Sequence, residues 1–328
     1  MKTNRFAVAG VMVLLAALML VPLNLPQMND WLFRIATLIM LAVSWNMMAS
    51  AGMISLGHSA FWGVGSYGCL VAINYLKLPF FMSFIPALLF GALIGMLLAL
   101  STGRLRGVFF AIATLALSEG LRIIGLMLPD FTGGAAGMFL RHGARPAAMV
   151  LYYSAIIAAL LTVLAAWLLS ITKLRYAMRA MHDNEDAAQM LGINPLFYRT
   201  LISTIAGAMA AGAGALNLWH SAYLAPDIAF SLHFAILAQI AAIIGGVHTL
   251  AGPVIGAFAI IGLSELSRTS LGIKEGYSLL IYGVMLVAAI TFMPKGLYGI
   301  LKARPARKPA REGLAPAGAS PPNDAAQP

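Results

Sequence analysis

Charge is scarce in this chain and cysteine almost absent. Of 328 residues only 10% are Asp, Glu, Lys or Arg, whereas 61% are hydrophobic. Soluble domains carry roughly 25% charged and about 45–50% apolar residues, so a soluble globular protein is excluded. The single cysteine, Cys69, excludes an intrachain disulfide and a cysteine metal cluster. No lysine follows a glycine, which removes the phosphate-binding loop of a nucleotide hydrolase. No histidine precedes a glutamate, so the zinc-protease helix motif is missing too, and the histidines are scattered. No cofactor or metal is expected.

What is abundant is long apolar sequence. Runs such as Val11–Leu20 do not alternate polar with apolar, as strands of a membrane barrel would. A helix needs about 20 apolar residues to cross a hydrocarbon layer of roughly 30 Å. Reading these runs against charges and turn residues predicts ten spans, near 6–22, 31–50, 57–76, 81–101, 107–128, 147–171, 199–219, 228–246, 250–267 and 277–293. The fold class is an all-α, polytopic integral membrane protein.

The formal net charge of +10 acquires its meaning from where the basic residues lie. With the N-terminus inside, fourteen of them fall in cytoplasmic segments, among them Lys2, Arg5, Arg104, Arg106, Lys173, Arg175, Arg179 and Arg199. Six fall opposite, at Arg34, Lys77, Arg141, Arg145, Arg268 and Lys274, and Arg122 lies within a span. This is the positive-inside pattern; it orients both termini to the cytoplasm in a lipid bilayer and calls for no nucleic acid. The N-terminal apolar run reaches Pro22-Leu23-Asn24-Leu25-Pro26 without a small-x-small cleavage site, so it is expected to remain as the first membrane helix. Residues 1–302 form the transmembrane domain, and the Pro- and Ala-rich segment 303–328 is expected to be a disordered tail.

Between the sixth and seventh spans lies an insert, 173–198, longer than the usual bundle connection. Asn184 is a candidate helix cap, Glu185 and Asp186 occupy a first turn, and Gly192 with Pro195 makes a stop signal. A short exposed helix displaying Ala, Met and Leu suits docking into another protein; a helix resting on lipid headgroups has the same pattern.

Asp186-Ala187-Ala188-Gln189-Met190-Leu191-Gly192 resembles the Glu-Ala-Ala-x-x-Leu-Gly loop of ABC importer permeases, with Asp at the Glu position. Four further segments resemble the LivM-type permeases of branched-chain amino acid importers: Gly52–Tyr67, Arg104–Ala116, Gly245–Gly256 and Pro294–Gly299. The chain departs from that family in having Leu174-Arg175-Tyr176-Ala177 where a Gly-Arg-Ala-like turn is usual, and His248 where Leu is common. The resemblance implies a type II-like importer architecture and a non-enzymatic transport subunit. It implies as partners a second homologous permease subunit, two ATP-binding subunits and an extracytoplasmic substrate-binding protein, in a bacterial-type inner membrane. The solute would be a branched-chain or related small amino acid, with urea or short amides as alternatives. The implied ATPase-coupling residues are Glu185, Asp186, Ala187, Ala188, Leu191 and Gly192.

Candidate residues of a translocation path or gate are Ser55, His58, Ser59, Glu119 and Arg122. Each has a structural reading beside the functional one. Glu119 and Arg122 are three residues apart, share a helical face and can pair, because an isolated charge in a span is costly. His58 can be a satisfied structural histidine. The glycines at 63, 65 and 68 and at 207, 212 and 214 suit close helix packing as well as a path. The rival from another class is an ion-coupled secondary transporter using Glu119 and Glu265, but it wants matching repeats that the sequence lacks.

Overall fold

A computed structural model describes residues 5–20, 29–141, 145–271, 284 and 296–302. The long helices are α1 (Arg5–Leu18), α2 (Asn29–Ala49), α3 (Ser59–Asn74), α4 (Phe80–Ser101) and α5 (Val108–Met127). After the short α6 (Pro129–Thr132) come α7 (Ala148–Ile171), α8 (Leu174–Asp183), α9 (Glu185–Met190) and α10 (Pro195–Ser221). The short α11 (Pro226–Ala229) leads into α12 (Leu232–Gly245), followed by α13 (Gly252–Leu271) and α14 (Gly296–Lys302). Met138–Phe139 pairs antiparallel with Tyr223–Leu224 in a two-residue ribbon, β1 and β2.

Among the described residues, six stretches are long and apolar enough to cross a membrane: α2, α4, α5, α7, α10 and Pro226–Gly245, which joins α11 to α12. α2 is buried along almost its whole length and forms the centre of the bundle, whereas α4, α5 and α7 each bury one side and present Leu and Ile outward, with Phe as well on α4 and α5. Water would not tolerate such faces; hydrocarbon does.

α4 and α10 approach at backbone distance. A β-carbon on Gly91 would lie 2.5 Å from the Gly207 carbonyl oxygen, and one on Gly207 would lie 2.3 Å from that of Gly91. Gly65 and Gly214 meet neighbouring backbone as closely, so these small residues serve helix packing.

The predicted span 57–76 is shorter in the structure. α3 holds only 16 residues because residues 50–58, after leaving α2, turn back into the bundle before the helix begins. The backbone N–H groups of Leu56 and Gly57 donate to the Thr114 hydroxyl inside α5, at 3.0 and 3.2 Å. Non-helical backbone at this depth is tolerated because protein, not lipid, surrounds it. α10 begins four residues before the predicted 199, since Asn194 caps it and Pro195 takes its first turn; Pro195 starts a helix here as much as it ends one. Apart from residue 284, the predicted span 277–293 and the tail 303–328 lie outside the described residues.

The loops gather at two ends of the bundle. One end gathers the α4–α5 turn, the insert and the 246–251 turn: Arg106 meets Asp186 and His182 meets His248. The other gathers Asn74 against Phe139 and Arg141, and Asp30 against His220.

Candidate functional site

The insert folds as two short helices, α8 and α9, with Asn184 between them. Asn184 Oδ1 accepts the Ala187 N–H at 3.0 Å, as a helix cap should. Gly192 takes a left-handed φ of +81° and ends the unit.

α9 is held by charge on one side and bare on the other. Arg106, on the α4–α5 turn, donates from both terminal nitrogens to Asp186 at 2.8 and 3.1 Å, and its Nε lies 3.1 Å from Glu185. Arg199, in the second turn of α10, donates to Glu185 at 2.8 Å and to the Gly103 and Leu105 carbonyl oxygens at 3.0 and 3.1 Å. Fork-like guanidinium pairing of this kind fixes orientation as well as position. The Arg106 hydrogen bonds hold the Asp186 carboxyl below the ordinary carboxylate range. Ala188 is buried against the bundle, Ala187 is exposed, and Met190 and Leu191 stand 90% and 80% exposed. The result is an apolar tip on a rigid mount. In the sequence, the resemblance marks the six motif residues and Asn184 reads as a cap, but Arg106 reads only as part of a family-like segment and of the charge asymmetry, and Arg199 only as part of the latter. The available signal was the adjacent acidic pair, Glu185 and Asp186, in an acid-poor chain.

The candidate path residues divide into two groups. Glu119 and Arg122 do pair: Arg122 Nε donates to the two Glu119 oxygens at 2.9 and 3.0 Å. Arg122 Nη1 also donates to Asp227 of α11 at 2.5 Å, a partner that sequence reading missed because it lies 105 residues away. This charged trio faces outward from α5, with the Glu119 side chain half-exposed. Ser59 joins the same helix, its hydroxyl 2.9 Å from that of Ser118. Ser55 and His58 lie instead inside the packed bundle. His58 Nε2 shares a hydrogen bond of 2.8 Å with Ser44 of α2, and the Ser55 carbonyl accepts from Trp45 at 2.8 Å. Among the described residues, no group of three His, Cys, Asp or Glu comes close enough to hold a metal.

Apolar helices around a buried central span, a charged trio on an outward helix face and a charge-anchored apolar tip at one end define a multi-pass helical membrane protein. The chain belongs to the family described as branched-chain amino acid transport system / permease component, which matches residues 27–290. It is 26% identical over 278 residues to the high-affinity branched-chain amino acid transport system permease protein LivM of Escherichia coli K12, covering 75% of this chain and 64% of that one. The LivM of Salmonella typhimurium LT2 matches at the same identity and coverage. The probable branched-chain amino acid transport permease protein LivH of Methanocaldococcus jannaschii is 31% identical over 157 residues, 46% of this chain and 49% of that one. The chain thus spans just under two thirds of the length of the LivM relatives it matches. No solved structure matches it.

Proposed function

We propose that the chain is a permease subunit of an ABC importer for branched-chain or related small amino acids. The observation that carries this reading is the family's insert motif, presented here as a solvent-exposed apolar tip on a charge-locked helix. A tip of this kind docks in a cleft of an ATP-binding subunit, and Arg106 and Arg199 pass its movement to the α4–α5 turn and α10. The chain does not hydrolyse ATP; two partner ATPases do, a binding protein delivers solute on the far side, and a second homologous permease completes the pair. ATP biases the equilibrium only because the partners hold the tip differently in their closed and open states.

The outward charged trio fits a path between the two permeases. Glu119 and Arg122, beside Ser59, face the partner subunit or a wet cavity and act as a gate, because a half-exposed charge cannot face lipid without cost. The six long helices, with α1, α3, α13 and the apolar run at 277–293, complete ten spans. Both termini then lie on the tip side, which the basic-residue bias makes cytoplasmic.

The test is reconstitution with the partner subunits. Leu191→Asp places an unpaired charge in the docking interface, at a penalty of about 1–3 kcal/mol or more, and Gly192→Val forces a β-branched residue into the left-handed region. Both variants are expected to insert normally, to lose co-purification of the ATPase and to lose leucine uptake. Wild-type association and uptake in both would make α9 a lipid-surface helix and refute the coupling role. Uptake driven by an ion gradient without ATP would assign the protein to secondary transport.

A further inference from the structure

The insert meets the bundle at a second place, apart from the Arg106 and Arg199 anchors. α8 buries Leu174, Ala177 and Met181, and in its last turn the His182 ring packs edge-on against His248 of the 246–251 turn, with centroids 4.7 Å apart. The His182 Cα stands 3.6 Å from where a β-carbon on Gly52 would lie, so the end of α8 also abuts the turn that leaves α2. Only Asn184 separates α8 from α9. The histidine contact is therefore the last hold on the bundle before the coupling tip.

Its backbone is fixed while its rings are not. His248 adopts a φ of +64°, uncommon for a residue with a side chain. Asn46 clamps this turn from both sides, accepting the His248 N–H and donating to the Thr249 carbonyl, each at 2.9 Å. Strain held in place by surrounding bonds is typical of binding and switch positions. The His248 ring has only a long contact of 3.4 Å from Nδ1 to the Ser50 hydroxyl, and both imidazoles border a cavity of about 330 Å³. The rings have room to part without displacing packed atoms.

Among the described residues, the charges around the pair all come from α8. Asp183 Oδ1 lies 3.5 Å from His182 Nδ1, Arg179 Nε lies 3.7 Å from Asp183 Oδ2, and Arg175 borders the same cavity. α2, α7 and the 246–251 turn bring only neutral polar groups there: Asn46, Ser50, Ser170, His248 and Thr249. One carboxylate between two guanidinium groups leaves the surroundings positive before an imidazole gains a proton. Burial first, and His182 after it, hold the His248 imidazole below its ordinary pKa, with Asp183 opposing. The docked arrangement thus favours the neutral ring: the contact is at full strength above the ordinary histidine range and weakens as pH falls through it.

We propose that the His182–His248 contact is an acid-sensitive latch on the coupling insert: a proton taken up by His248 from the tip side parts the rings, frees the end of α8 from the 246–251 turn and slackens the link between tip and bundle. Its effect on import rests on the permease reading above; the latch itself stands on the geometry of the insert. The anchors of α9 use carboxylates, whose ordinary range lies lower, so the two holds open in separate pH windows. Acid on the tip side then slows import while α9 keeps its place.

Hydrogen exchange of the purified full chain in lipid nanodiscs reads the latch without partner subunits. After correction for intrinsic rates, amide protection in 174–183 is expected to be lost selectively as pH falls from about 7 to 5. His248→Asn, a residue that tolerates left-handed backbone, is expected to keep one level of protection across that window, and His182→Gln to show a reduced loss. No selective loss in wild type, or the same loss in both variants, overturns the latch; should either variant fail to fold, the other decides. In proteoliposomes of the assembled importer with the tip-side pH set independently, leucine uptake is expected to fall on tip-side acidification more in wild type than in the variants. An equal fall in all three assigns the sensitivity to the partner subunits and overturns the link to import. No uptake in any form at any pH counts against the permease reading, while the exchange arm still decides the latch.

Discussion

Arg122 holds two carboxylates at once, one from its own helix and one from α11. The pairing makes the consequences of substitution unequal. Glu119→Gln leaves Arg122 with Asp227, whereas Arg122→Gln strands two negative charges on the same face. Folded yield in membranes, read by fluorescence-detected gel filtration, is expected to fall most for Arg122→Gln and to recover when Glu119→Gln and Asp227→Asn are added. Full yield in Arg122→Gln with uptake abolished would instead assign the trio purely to the path. Gly57 is a second sharp position: a β-carbon there would lie 1.7 Å from the Thr114 carbonyl oxygen and 2.3 Å from its carbonyl carbon. Gly57→Ala must push the 50–58 turn off α5, so a loss of about 1–3 kcal/mol or more is expected, seen as a lowered Tm in detergent. Gly192 has open space around it, so a methyl group meets no clash there, but its φ of +81° strains any side chain, and Gly192→Ala is expected to lower Tm by less than Gly57→Ala does.

At the scale of elements, α9 keeps its place through carboxylates, which makes it sensitive to acid. The folded Asp186 carboxyl sits below its ordinary range because Arg106 donates to it. The stabilisation is therefore complete above the unfolded value and disappears as pH falls through the folded one. Amide protection in Glu185–Met190 is expected to hold at neutral pH and to drop selectively below the carboxylate range, with the drop already present at neutral pH in Arg106→Gln. Protection that follows the rest of the bundle at every pH would refute the anchoring. The insert also shows how far local signals reach. Asn184 as a cap and Gly192 as a stop were legible because capping is chemistry within a few residues. That the insert holds a second helix, α8, packed on the bundle through Leu174, Ala177 and Met181 was not read, because its apolar positions acquire meaning only against α7 and α10.

For the whole molecule, the two loop sets at opposite ends make a direct prediction about topology. With buried Cys69 replaced, a cysteine at Leu191 should be shielded from an impermeant thiol reagent in intact cells, and one at Phe139 should react. Labelling at 191 from outside would invert the orientation. The class and the membrane setting follow from composition and run length, since transfer of apolar surface and charge into lipid is decided residue by residue. The family follows from short motifs whose order survives in the chain. Tertiary structure decided which charges meet. Asp227 joins Arg122, Arg106 reaches Glu185 and His182 finds His248, because each of these pairs is separated by a span or more and is brought together only by helix packing; Arg199 meets Glu185 across a turn of 14 residues. The same holds at the end of the 50–58 turn: Gly57 and His58 read as the start of a helix, but hydrogen bonds from the Leu56 and Gly57 N–H groups to Thr114 of α5 make an irregular backbone cheaper there than a longer α3.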